Sequence, residues 1–121
     1  MPRIRQAISK TKNTSVTIQV DIAETGTYAI DFKYANGNGP TNTENKCAIR
    51  ELKLDNKKAG TIILPQRGVK EWSNWGFTNA VIVTLAKGKH MIALGLEDYN
   101  DNMNGEINQA MLDYLRVSKI K

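Results

Sequence analysis

The sequence predicts an all-β protein built as an antiparallel sandwich or barrel. Three observations carry that prediction. Apolar residues recur at every second position in several short runs, the pattern of strands with one buried face. No stretch sustains a helical period. Clusters of Gly, Asn, Asp and Pro separate the runs at near-regular spacing, as in sandwiches and barrels.

Each element follows from its own pattern. Val16, Ile18, Val20 and Ile22 alternate with polar residues and predict a half-buried strand. Glu24-Thr25-Gly26 turns the chain, and Tyr28, Ile30, Phe32 and Tyr34 alternate again, so the two runs read as a hairpin with one wet face and one core face. Residues 36–45 are too rich in Asn and Gly for an element interior. Ala48, Leu52 and Leu54 mark the next strand, with Arg50 in phase with them, and Asp55-Asn56 is a tight-turn signal. A strand over Thr61–Leu64 is closed by Pro65. After a polar break at 68–76, Phe77, Val81, Val83 and Leu85 read as one alternation. Lys87-Gly88-Lys89 reads as a hairpin turn into His90, Ile92, Leu94 and Leu96. A polar loop over 97–109 precedes a last strand from Met111 to Val117. If the three polar breaks share one end of the sheets, they make a site.

Composition narrows the function classes. The chain has 121 residues, one domain's length, and enough to bury a core without disulfide staples. Its single cysteine, Cys47, lies in an apolar alternation and reads as a buried thiol. The net charge of +5 is localised: Arg3, Arg5, Lys10 and Lys12 precede residue 13 with no acid among them. Removing these four from 17 basic residues leaves 13 against 12 acidic ones, a nearly neutral body. Residues 1–13 therefore read as a basic linker or arm, and 14–121 as the domain. Basic residues are not spread along a face among aromatics, so no nucleic-acid partner is expected. No run is long enough for a membrane span. There is no nucleophile elbow, His/Cys metal cluster or phosphate-cradling glycine loop, and the acids show no spacing that selects a catalytic pair.

The break at 68–76 holds both tryptophans, in Trp72-Ser73-Asn74-Trp75. An indole on a loop beside amides and hydroxyls can hold a sugar, the ring taking its C–H face and the polar groups its hydroxyls. At an i, i+3 spacing the two rings point in roughly opposite directions; Trp72 is expected open to solvent with Trp75 close behind it. Asn36 and Asn42 are candidate amide contacts, although Asn also serves turns.

The order of these pieces resembles the carbohydrate-binding modules of families 6 and 35. The matching text runs through Gly26-Thr27-Tyr28, Tyr34-Ala35-Asn36-Gly37, Arg50 to Asn56, Gly60 to Pro65, Trp72 to Trp75, Leu85 to Ile92 and Leu112 to Val117. The resemblance implies a jelly-roll sandwich of the galactose-binding-like type. It implies a non-catalytic accessory domain of an exported glycoside hydrolase, extracellular or periplasmic, whose partners are a polysaccharide and the parent's catalytic domain. The alternative role is a structural sandwich packed on that catalytic domain. One of Trp72 and Trp75 would carry the aromatic platform, and Arg50 matches the region from which some members reach uronic acids. Where members often place a sugar-contacting Asn two residues before the last-strand Asp, this chain has Met111, with Asn104 or Asn108 as substitutes. Asp113 matches that Asp, a structural calcium ligand in members whose opening strand also brings two glutamates. Here the opening is Arg3-Ile4-Arg5, so Asp113 is the one matching calcium ligand and no other cofactor is expected.

Changing the open-faced Trp to Ala should abolish retention on glycan with little change in melting temperature, whereas a buried Trp changed to Ala should cost about 3–5 kcal/mol of stability. Affinity electrophoresis in glycan gels beside thermal melts of both variants separates the two roles.

Overall fold

The computed structural model of the chain describes residues 3–8 (Arg3 and Arg5 as backbone only), 14–36, 48–65, 75–96 and 110–121. Every regular element among them is a strand: β1 Arg3–Ile8, β2 Ser15–Ile22, β3 Gly26–Ala35, β4 Ala48–Leu54, β5 Lys57–Leu64, β6 Gly76–Phe77, β7 Val81–Leu85, β8 Gly88–Gly95 and β9 Ala110–Lys119. All pairings are antiparallel. One sheet runs β1-β9-β3, with β6 and β7 sharing the far edge of β3; the other runs β2-β8-β4-β5. The predicted all-β sandwich is present.

The period-two pattern builds the core. Tyr28, Ile30, Phe32 and Tyr34 of β3 face inward, and so do Val16, Val20 and Ile22 of β2, Leu52 of β4, and Ile62 and Leu64 of β5. Ile8, Ala48, Leu85, Ile92, Leu94, Ala110, Leu112 and Leu115 join them. Phe32 and Leu115 lie opposite each other in the ladder, and both are sealed from solvent. Burying each such side chain contributes about 1.5–3 kcal/mol.

Three local expectations are corrected. Residues 3–8, expected within the basic arm, form β1, which pairs with β9 from Ile8↔Ala110 to Arg3↔Tyr114. Ile8 is buried and Ile4 packs against the core, an alternation that the arginines mask in the sequence. β2 and β3 do not make a hairpin, nor do β7 and β8: in each case the two strands belong to opposite sheets, so the short connection is a corner between layers. Alternation fixes which face is apolar but not which strand lies alongside. The run from Phe77 to Leu85 is two strands, because Thr78 interrupts it. Its N–H donates to Phe32 O (3.0 Å) and its hydroxyl accepts from Phe32 N–H (3.1 Å), satisfying the β3 backbone between β6 and β7.

The β4–β5 connection is a true hairpin. Asp55 and Asn56 have φ of 51° and 70°, the left-handed pair of a two-residue turn whose twist matches its strands. The turn also locks onto β8. Asp55 Oδ1 accepts from Met91 N–H (2.8 Å), and Asp55 Oδ2 lies 2.7 Å from His90 Nδ1. The other ring nitrogen, Nε2, is 2.7 Å from Ala86 O. Both ring nitrogens thus face acceptors, which only imidazolium can satisfy with two N–H groups. The hydrogen bond to Asp55, then the one to Ala86 O, raises the His90 pKa above its ordinary 6.5. The same contact, with Met91 N–H, lowers that of Asp55 below 3.8.

The pH dependence follows from these directions. The His90 contribution is full below about pH 6.5 and is lost as pH rises through its raised folded value; that of Asp55 is present above about pH 3.8 and is lost as pH falls through its lowered value. Melting temperature should therefore hold between those limits and decline above pH 6.5. In Asp55→Asn the decline above pH 6.5 should largely vanish, which thermal melts from pH 5 to 9 would check.

Candidate functional site

The strand registers bring the strand ends that flank the polar breaks to one pole. Ile8 is opposite Ala110, Ser15 opposite Gly95, Ala35 opposite Met111, Tyr34 opposite Gly76, and Ala48 opposite Leu64. The segments 37–47, 66–74 and 97–109 all depart from and return to these strand ends, as does 9–13. The short corners at 23–25 and 86–87 and the turn at 55–56 occupy the opposite pole.

Tyr34 of β3 and Asn36, just past its end, join the sheets at the loop-bearing pole. The Asn36 side-chain amide donates to Leu64 O (2.9 Å), and the Tyr34 hydroxyl donates to Pro65 O (2.8 Å). Alternation aims Tyr34 into the interlayer space, and Asn36 follows it in phase. Asn36 is fully buried. It anchors the mouth of the loop rather than offering its amide to a ligand, which corrects the reading of Asn36 as a sugar contact.

Arg50 is corrected in the same way. It sits on the inner side of β4 between the core residues Ala48 and Leu52, and none of its surface is exposed. Its Nη1 donates to Ile49 O (2.8 Å), and burial lowers its pKa to about 10. The phase seen in the sequence already placed it inward, and its guanidinium is not at the surface.

Trp75, expected behind Trp72, is itself at the surface at 36% exposure, where the chain leaves the pole and enters β6. Trp72, Asn42, Asn104 and Asn108, together with Cys47, lie outside the described residues. Asp113 is half-buried on β9, 3.7 Å from Lys33 Nζ. Among the described residues no three His, Cys, Asp or Glu side chains converge as a metal site.

Sequence reasoning missed the outer face of the β1-β9-β3 sheet. Phe77, assigned only as a strand residue, is 39% exposed there, with the Arg116 guanidinium 3.8 Å from its ring centroid and Tyr114 edge-on at 6.1 Å. Arg116 is held by a bidentate pair with Asp31, at 2.9 and 2.6 Å. The only signal in the sequence was that Phe77 follows Trp75 by two positions, the period that puts both on one face.

No protein-family model matches the chain. It is 31% identical over 109 residues, 90% of its length, to a cycloisomaltooligosaccharide glucanotransferase of Niallia circulans, and it spans about a tenth of that relative's length. Among solved structures it is similar to a cycloisomaltooligosaccharide glucanotransferase of Paenibacillus sp., complexed with cycloisomaltoheptaose. That likeness has a TM-score of 0.65 and 26% identity, and covers 84% of this chain and 12% of that one. It is also similar to a family 35 carbohydrate-binding module from Clostridium thermocellum, with a TM-score of 0.65 and 18% identity, covering 98% of this chain and 92% of that one. The resemblance read from the sequence is borne out: the fold is that of the carbohydrate-binding-module sandwiches.

Asn36→Ala removes the donor to Leu64 O and should destabilise the sandwich by about 1–3 kcal/mol, the cost of leaving a buried carbonyl unsatisfied. Denaturant unfolding measures it, and a loss below about 0.5 kcal/mol, the lower end for a net hydrogen bond, would show that this amide does not hold the pole together.

Proposed function

We propose that the chain is the non-catalytic carbohydrate-binding module of a larger, exported glycan-active enzyme, and that it holds an uncharged gluco-oligosaccharide at its loop-bearing pole. The observation that carries this reading is the convergence at one pole of the strand ends that flank the long polar segments, with an exposed indole, Trp75, at its edge. A flat apolar ring beside many amides is the chemistry that receives a pyranose. The relative's name and the cycloisomaltoheptaose held by the solved homologue point to glucose units of the isomalto type. The burial of Arg50 favours a neutral sugar over a uronic acid, because the matching cation is not at the surface.

Among the described residues several carboxylates are already engaged, which supports a binding role over a hydrolytic one. Asp31 is paired with Arg116, Asp55 with His90 and Asp113 with Lys33, while Glu51 is buried and accepts from the Thr61 hydroxyl (3.0 Å). Hydrolysis asks for two carboxyl groups free to flank one bond. Tethering a weak binder beside an active site raises the local substrate concentration. One ring contact and a few hydrogen bonds give dissociation constants on the order of micromolar to millimolar.

Titration with isomaltooligosaccharides should change the intrinsic fluorescence, with Trp75→Ala weakening binding about tenfold or more and leaving the melting temperature nearly unchanged. Xylo-, manno- and uronic-acid oligosaccharides form the comparison panel. No response to any glycan, with no retention on insoluble α-glucan, would leave the packing role on a catalytic domain as the function.

A further inference from the structure

The outer face of the β1-β9-β3 sheet carries a built surface that the pole does not need. The registers set Tyr114 of β9, Lys33 of β3 and Phe77 of β6 in one transverse row. Asp31 and Arg116 lie opposite each other two residues further along β3. The groups fix one another. Arg116 lies against the Phe77 ring and is clamped by two hydrogen bonds to Asp31, while Lys33 stands 5.4 Å from the Tyr114 ring centroid and 3.7 Å from Asp113. Among the described side chains of this face two cations are each matched by an anion, and donors remain to bond: the guanidinium has five N–H groups and gives Asp31 two. Rings and fixed donors on paired strands, rather than on a loop, form a surface ordered before any ligand arrives.

This surface is continuous with the pole. Trp75 precedes Phe77 by two residues, about 7 Å along an extended chain, a distance on the scale of one hexose ring. Both are exposed, at 36% and 39%. We infer that the glycan does not stop at the pole: successive sugar units run from Trp75 onto the sheet face across Phe77 and Tyr114, so that the ligand is a stretch of neutral glycan chain several units long. The inference rests on the glycan reading above and specifies the length and course of its ligand. The mixture of ring and donor suits a sugar, which offers a C–H face and hydroxyls to each unit of surface.

The test is calorimetric titration of the full 121-residue chain with isomaltose and with isomaltoheptaose. The wild type should bind the longer sugar on the order of tenfold more tightly, the gain of an additional ring contact. Phe77→Ala and Phe77→Ser should keep the isomaltose affinity within about twofold and lose most of the length-dependent gain, whereas Trp75→Ala should weaken both sugars. Thermal melts of the Phe77 variants confirm that the sandwich persists, and two substitutions guard against one that fails to fold. Equal affinity of the wild type for both lengths, or a gain that survives in both Phe77 variants, overturns the sheet-face course and leaves the pole reading standing. Binding of neither sugar overturns both.

Discussion

The sandwich depends on how the open edge of β5 is finished. β5 is the last strand of its sheet, and an edge strand presents backbone groups with no ladder partner. Side chains from the other sheet take that place. The Asn79 amide accepts from Ile63 N–H (2.8 Å) and donates to Thr61 O (2.9 Å), copying the two bonds that a neighbouring strand would give. Asn36 and Tyr34 then take Leu64 O and Pro65 O at the pole. Four consecutive bonds of this kind join the two layers along one side, where main-chain pairing cannot reach from sheet to sheet.

That seam explains why β6 and β7 are separate. For Asn79 to reach β5, the chain must leave the β3 ladder after Phe77 and return at Val81. The gap would strand the Phe32 backbone, and Thr78 fills it with its N–H and hydroxyl. Thr78 and Asn79 therefore act as a pair, one repairing the sheet that the chain leaves and the other closing the sheet that it meets. Backbone polar groups in a buried setting must be satisfied somewhere, and here polar side chains do it without adding a strand.

The two poles divide the work. One carries short, hydrogen-bonded corners and the His90–Asp55 lock, which answers to pH through a contact far along the strands from the long segments. At the other, Asn36 and Tyr34 tie together the strand ends that flank the long polar segments. Inward fastening and outward exposure thus fall on different residues. Asn36 and Arg50 belong to the interior, while Trp75 and the Phe77 row belong to the surface.

The sequence by itself determined the all-β class, the inward face of most strands and the Asp55-Asn56 turn, because these follow from period-two alternation and from residues that accept left-handed backbone. It also carried, unread, the burial of Arg50: the residue is in phase with Ala48 and Leu52, and its charge drew attention from its position. Only the tertiary structure decided that β2 and β3 part into opposite sheets, that the arginine-bearing start is a strand, that Asn36 and Asn79 are fastenings, and that Phe77 stands at the surface beside Arg116. The reason is physical. A local pattern records which side of a strand is apolar, whereas the identity of its neighbour, and hence the partner of each polar side chain, depends on contacts between residues far apart in the chain.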